Sequence, residues 1–333
     1  MNDDYHIITG GAGFIGSHLA EFLLKKNAKV TVIDDLSHGS IENIKIIESC
    51  KNFKFINEDI CSSNISEHLK GCTHLYHLAG LSSIVPSIDN PTKYYKVNVT
   101  GTLNILEASR NLSLKKFIYT ASSSCYGIPE KYPTSENEKI NVQYPYALTK
   151  YLGECLALHW CQIYKIPVIS LRLFNVYGPR QKSLSAYGSV FGVFLSQIYN
   201  DLPLTVVGDG NQERDFTYVS DVIEAIYLAS TSSFTNEIFN VGTGNPCKVN
   251  DIVNFLKPKK ITYIPDRPGE PKMTWAENSK IKQYLNWENR TTLKNGIQQL
   301  LEKIDEYADS QKWDEDSIKR ATHNWFKYLS KNK

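Results

Sequence analysis

Three glycines spaced by three, Gly10, Gly13 and Gly16, constrain this chain more than any other feature. An apolar run from Tyr5 to Ile8 leads into them. An amphipathic stretch follows, with Phe14, Ile15, Leu19, Phe22 and Leu23 at helical spacing. A second apolar run, Val30 to Ile33, ends at Asp34. The order is strand, glycine turn, helix, strand, acid. Glycine lets the backbone turn tightly and approach a pyrophosphate, while the helix N-terminus offers free N–H groups and a positive dipole end. A carboxylate closing the second strand accepts the hydroxyls of an adenosine ribose and repels a 2′-phosphate, which selects NAD over NADP. The spacing is G-x-x-G-x-x-G rather than G-x-G-x-x-G. The assignment therefore rests on context: a strand before, a helix after and an acid in answer.

Strands and helices alternate onward, which predicts an α/β fold with a doubly wound parallel sheet of Rossmann type. Strands are expected at 5–9, 29–33, 53–56, 73–78, 115–121 and 167–173. Helices are expected at 14–26, 40–49, 63–70, 91–111 and 146–165. Past residue 174 glycine and proline become frequent and the pattern loosens, with helices at 187–200, 220–231, 249–256, 278–284 and 291–308. The expected division is a cofactor-binding domain over 1–174, with later segments returning to it, and a smaller mixed α/β substrate-binding lobe over 175–310. A helical extension over 311–333 carries Ile318, Trp325, Phe326 and Leu329 as apolar points.

At 333 residues with a net charge of +2, the chain gives no reason to invoke nucleic acid or acidic lipid. No signal peptide or membrane-spanning run is evident, and seven scattered cysteines lack any C-x-x-C. These features together predict a cytoplasmic protein with reduced thiols and no zinc site. His77 is a single histidine ending an apolar strand, and no metal role is expected of it.

Tyr146 and Lys150 lie four apart on a predicted helix and share one face. A tyrosine with a pKa of about 10 is a poor base at neutral pH. A nearby lysine, together with a positive nicotinamide ring, favours the phenolate, which then accepts a proton from a substrate hydroxyl. The strand end Ile118 to Gly127 holds Ser122, Ser123 and Ser124, where ligands sit in such sheets. Ser122 is placed to share the reacting proton with Tyr146.

Several blocks now stand in order: the glycine turn, Asp34-Asp35-Leu36-Ser37, Asp59-Ile60, His77-Leu78-Ala79-Gly80, Asn98 to Thr102, Ser122 to Gly127, and Tyr146 to Lys150. In this order they resemble the extended short-chain dehydrogenase/reductases, and more narrowly the NAD-dependent nucleotide-sugar 4-epimerases. The resemblance covers about residues 5 to 305. It implies a catalytic Ser122, Tyr146 and Lys150. It implies a cofactor site of Gly10, Gly13, Phe14, Ile15, Gly16, Asp34, Asp35, Leu36, Ser37, Asp59, Ile60, Leu78, Ala79, Gly80 and Asn98, with Tyr146 and Lys150. For the sugar nucleotide it implies Ser83, Ser123, Ser124, Asn175, Arg180, Arg214, Arg267, Glu270 and Thr274. The family pairs through helices matching 91–111 and 146–165, so a homodimer is expected.

Related 4,6-dehydratases carry an acidic pair after the triad serine or threonine, and related decarboxylases a glutamate nearby. Here Ser123 and Ser124 occupy those positions, and no glutamate lies between Ser124 and Glu130. That favours 4-epimerisation over dehydration, decarboxylation or net 4-dehydrogenation. An intact Ser122/Tyr146/Lys150 set argues against a cofactor-sensing or scaffold role. Thr274 stands where narrow UDP-galactose enzymes of the family carry tyrosine, which points to UDP-GlcNAc/UDP-GalNAc, with or without UDP-Glc/UDP-Gal. An epimerase returns its hydride to the same sugar, so NAD is expected to copurify.

Overall fold

The computed structural model describes residues 4–181, 190–308 and 310–330. Its centre is one parallel sheet of seven strands: β1 (Tyr5–Thr9), β2 (Lys29–Asp34), β3 (Phe53–Asn57), β4 (His74–His77), β5 (Lys116–Ser122), β6 (Val168–Leu173) and, further on, Glu237–Val241. The intervening short strands are β7 (Val176–Tyr177), β8 (Leu204–Val207), β9 (Glu213–Arg214) and β10 (Thr217–Tyr218), so Glu237–Val241 is β11. Two more follow, β12 (Cys247–Lys248) and β13 (Ile261–Ile264). The sheet order is β11-β6-β5-β4-β1-β2-β3. Helices cover both faces of such a sheet, so its strands read as apolar runs rather than alternating ones. Ile7, Ile8, Val30, Val32, Leu75, Tyr76, Phe117 and Ile118 are accordingly buried.

The helices are α1 (Phe14–Lys25), α2 (Ile65–His68), α3 (Ile84–Asp89), α4 (Pro91–Tyr95), α5 (Thr102–Ser109), α6 (Pro145–Tyr164), α7 (Val190–Tyr199), α8 (Val219–Thr231), α9 (Val249–Leu256), α10 (Ser279–Leu285), α11 (Leu293–Leu301), α12 (Glu315–Ala321) and α13 (His323–Leu329). The chain order reverses between β1 and β4, which opens a crevice at the carboxyl edge of the sheet. Parallel register brings Thr9, Asp34, His77 and Ser122, each the last residue of its strand, to that edge. Three two-stranded pairs, β7/β10, β8/β13 and β9/β12, form a region of small sheets apart from the main one. No helix among the described residues is long and apolar enough to cross a membrane.

The helix expected at 291–308 is α11 followed by a 3-10 turn, Ile304–Tyr307, and four other expected elements differ. The predicted helix at 40–49 is two single 3-10 turns, Ile41–Asn43 and Lys45–Ile47. Long-range bonds to Ala12 O, from Ser40 N at 3.0 Å and Asn43 Nδ2 at 2.8 Å, pin this segment to the glycine turn instead. The helix expected at 63–70 is only the four residues of α2. The stretch 91–111 is interrupted by a π-helical turn, Lys96–Gly101, between α4 and α5. The terminal helix is two, α12 and α13, broken at Thr322. The beginning of the helix expected at 187–200 lies outside the described residues, and α7 is its described part. All seven cysteines are free.

Candidate active site

The glycine turn is held shut by its own backbone. Gly10 has φ +70°, and a Cβ there would lie 2.6 Å from Ala79 N, so both conformation and space exclude a side chain. A Cβ on Gly16 would lie 2.3 Å from Gly10 O, which is how closely α1 rests on the turn. Phe14 and Ile15 open α1, whose first turn carries neither an acid nor a side-chain cap, and its first N–H groups remain for an anion. Asp34 is buried and ties the turn to the next loop: Oδ2 accepts from Ala12 N at 3.0 Å and Oδ1 from Leu36 N at 2.9 Å. Burial raises its pKa, and those two bonds oppose the rise. Each oxygen keeps a second lone pair for a ribose hydroxyl. Asp35 Oδ1 accepts from Ser37 N and Oγ, and Asp59 Oδ1 accepts from Cys61 N, so these acids shape their own loops. Ile60 is buried against α5, and Leu78, Ala79 and Gly80 leave β4 beside the turn. These residues fit a dinucleotide with an unphosphorylated adenosine ribose.

Ser122 ends β5, and Tyr146 and Lys150 lie one turn apart at the start of α6. Tyr144 precedes the helix, Pro145 stands at its first position, and Ser87 Oγ of α3 accepts from Tyr146 N at 3.1 Å. Ser122 and Ser124 face the Tyr146 side chain and each lowers its pKa, and Ser124 Oγ donates to Ser122 Oγ at 2.9 Å. Burial raises the Tyr146 pKa and Ser122 partly offsets it. Lys150 is buried too, which pulls it down to about 8, with Glu154 opposing. The protein alone therefore holds both groups towards their neutral forms. Burial is the largest cause acting on each group, and Lys150 is not among the causes of the Tyr146 shift.

Sequence reasoning missed what steadies Lys150. Its ammonium lies 4.7 Å over the Tyr119 ring, and the Tyr119 hydroxyl donates to Lys150 O at 3.0 Å. One turn further, Glu154 accepts from Arg172 Nη2 at 2.6 Å and Nε at 3.1 Å, which fastens α6 to β6. Asn98 sits inside the π turn and is fully engaged. Its Oδ1 accepts from Leu81 N at 2.7 Å, and its Nδ2 donates to Leu81 O at 3.1 Å and Thr149 Oγ1 at 3.0 Å. His77 spends both nitrogens on Thr9 Oγ1 at 2.7 Å and Thr102 Oγ1 at 2.9 Å. Thr102 gives its own proton to Asn98 O, so His77 donates through Nε2 and accepts at Nδ1. Burial lowers its pKa to about 3, and it stays neutral.

The residues expected at the sugar nucleotide do not form a single cluster. Thr274 Oγ1 donates to Asn175 Oδ1 at 2.8 Å and accepts from Asp215 N at 3.1 Å, so Asn175 and Thr274 form one unit. Arg214 Nη2 pairs with Glu270 Oε1 at 2.7 Å, and Arg267 Nη1 lies 3.8 Å from Glu270 Oε2. Burial lowers Arg267 to about 10 and Glu270 opposes that, so Glu270 is the shared counter-ion of two arginines. Arg180 does not join them. Its guanidinium pairs with Glu21 of α1 at 2.7 Å and reaches Ser17 Oγ at 3.3 Å. Ser83 precedes α3, while Ser123 starts the turn that holds Ser124.

Comparison with known proteins follows this geometry. Residues 7–300 match the family model described as GDP-mannose 4,6 dehydratase. An uncharacterised UDP-glucose epimerase of Bacillus subtilis is 35% identical over 304 residues, covering 87% of this chain and 95% of that protein. Among solved structures, a UDP-N-acetylglucosamine 4-epimerase of Methanobrevibacter ruminantium in complex with UDP-N-acetylmuramic acid superposes with a TM-score of 0.85 at 31% identity, over 91% of this chain and 100% of that one. A UDP-glucuronic acid 4-epimerase of Bacillus cereus with UDP-glucuronic acid and NAD gives 0.84 at 34% identity, over 90% and 99%.

Proposed function

The chain belongs to the GDP-mannose 4,6-dehydratase family of extended short-chain dehydrogenase/reductases, and on that premise we propose that it is an NAD-dependent nucleotide-sugar 4-epimerase acting on UDP-GlcNAc and UDP-GalNAc, with UDP-Glc and UDP-Gal as further substrates. The observation that carries the reaction is the Ser122–Tyr146–Lys150 set with serines, not carboxylates, at 123 and 124. Elimination across C5 and C6 needs an acid and a base beside the triad, and epimerisation needs neither. Bound NAD supplies a reversible hydride acceptor whose positive ring favours the Tyr146 phenolate. Ser122 would orient the sugar O4 hydroxyl and Tyr146 would take its proton while the C4 hydride leaves to the bound NAD, and loss of both gives a 4-keto sugar. Lys150 keeps a positive charge beside that proton. The ketone would then present its other face, C4 would take back the hydride held on NAD, and Tyr146 would return the proton to O4. Arg214 and Arg267 suit the diphosphate, whose oxygens would replace Glu270 as their partner.

Thr274 supports the N-acetyl sugar, because a short side chain held against Asn175 leaves volume that tyrosine would fill. Thr274→Tyr is expected to cut kcat/KM on UDP-GlcNAc at least about tenfold relative to UDP-Glc. Product NMR on both sugars reads the ratio, and an unchanged ratio removes Thr274 from the account. We also propose a homodimer through α4–α5 and α6, where Tyr95 and Leu148 stand 53% and 43% exposed. Light scattering at the mass of one 37.8 kDa chain would contradict it.

A further inference from the structure

The segment beyond residue 310 lies past the family match, which ends at residue 300, and it crosses the molecule. It starts on α7: Ser196 Oγ donates to Gln311 O at 2.9 Å, and Gln197 Nε2 donates to Trp313 O at 2.9 Å. Trp313 and Ile318 are buried in the same core cluster as α7 and α8. Asp314 caps α12, accepting from Ser317 N at 2.8 Å. The chain then turns at Thr322 and lays α13 against α3, where Asn324 Nδ2 donates to Asp89 Oδ1 at 2.8 Å. A terminal helix of this length frays unless it is tied down. This one is tied at both ends of the crossing.

Trp325 is the inward side chain of α13 and is wholly buried. Its indole N–H donates to Pro268 O at 2.8 Å, one residue from Arg267. Its ring lies 5.9 Å from the Tyr144 ring, which stacks parallel to the Tyr146 ring at 6.5 Å. Val85 and Ala147 complete the cluster, with Ile84, next to Ser83, at its edge. One side chain thus touches the loop of the diphosphate arginine and the stack that ends in the catalytic tyrosine.

We propose that Trp325 is a positioning residue that sets the spacing between the Arg267 loop and the start of α6 across the nucleotide-sugar site. It acts on Arg267 through Pro268 and on Tyr146 through Tyr144. The proposal rests on the epimerase reading for the roles of those two residues. The two contacts are chemically separate, so they can be removed separately. Trp325→Phe keeps an aromatic ring against Tyr144 and loses the N–H that Pro268 O accepts. Trp325→Ala loses both.

The test measures kcat and KM on UDP-GlcNAc and UDP-Glc, UDP binding by calorimetry, and the melting temperature, in the full chain and both variants. For Trp325→Phe, the expected result is kcat within about threefold of the parent with KM and the UDP dissociation constant raised about fivefold. For Trp325→Ala, KM rises further and kcat falls by about tenfold or more, as a displaced Tyr146 demands. A merely structural tryptophan would lower the melting temperature of both variants without separating kcat from KM, and that result overturns the proposal. If Trp325→Ala does not fold, Trp325→Phe alone decides it by the same separation. A parent that epimerises, with Trp325→Phe matching it in KM and UDP binding, refutes the positioning role and leaves the epimerase reading intact. A parent that converts no sugar but binds UDP, with weaker binding in Trp325→Phe, refutes the epimerase reading and leaves the Arg267 link standing. A parent that neither binds UDP nor turns over refutes both.

Discussion

Tyr146→Phe is expected to lower kcat by about two to four orders of magnitude while leaving NAD content and UDP affinity near those of the parent. The substitution removes one oxygen. The ring stays stacked on Tyr144, and the backbone N–H stays on Ser87. What disappears is the hydroxyl that faces Ser122 and Ser124, the only part of Tyr146 assigned to proton transfer. The Ser122 and Ser124 hydroxyls still bond each other, so no buried polar group is stranded and the fold is not at risk. Progress curves on UDP-GlcNAc, with cofactor content measured by absorbance after denaturation, check the pair of outcomes. Activity within tenfold of the parent would remove Tyr146 as the proton acceptor.

Lys150→Met should stabilise protein freed of its cofactor at neutral pH, by an amount on the order of 3 kcal/mol. The sign follows from the shift. Burial lowers Lys150 from 10.5 in the unfolded chain to about 8 in the folded one. Below pH 8 the folded protein carries a buried ammonium and bears the full desolvation cost. Between pH 8 and 10.5 the unfolded chain binds more protons than the folded one, so stability of the parent rises with pH. Methionine has no charge to desolvate. The gap between variant and parent should therefore be widest at pH 7 and close as pH rises through that window. Urea unfolding at pH 7, 8.5 and 10 measures it. A variant less stable than the parent at pH 7 would mean that the Tyr119 ring and Glu154 compensate the ammonium fully. On the epimerase reading, such a residue costs stability in the resting protein and serves through its charge at the site.

What was legible in the sequence is what depends on neighbours along the chain. Gly10, Gly13 and Gly16 are required by a turn that closes within seven residues, and Tyr146 and Lys150 share a face because one helical turn separates them. Parallel register then carries Asp34 and Ser122 to the same edge. The missed features depend on distant partners. Arg180 is expected at the sugar nucleotide from its block, and its partner Glu21 stands 159 residues earlier. The segment 40–49 has helical spacing, but Ala12 O claims Ser40 and Asn43. The π turn at Lys96–Gly101 surrounds Asn98, which Leu81 and Thr149 hold, and Thr102 bonds back to Asn98 O. Nothing local signals Tyr119 under Lys150 or Trp325 behind Tyr144.

The central claim is that one site removes hydrogen from C4 and returns it to the same sugar. It is tested most directly with UDP-GlcNAc carrying deuterium at C4, incubated with the purified protein and no added NAD. The account predicts UDP-GalNAc with deuterium retained at C4 and no loss of mass. Exchange of that deuterium with solvent, release of a keto sugar, or loss of water or carbon dioxide would contradict it.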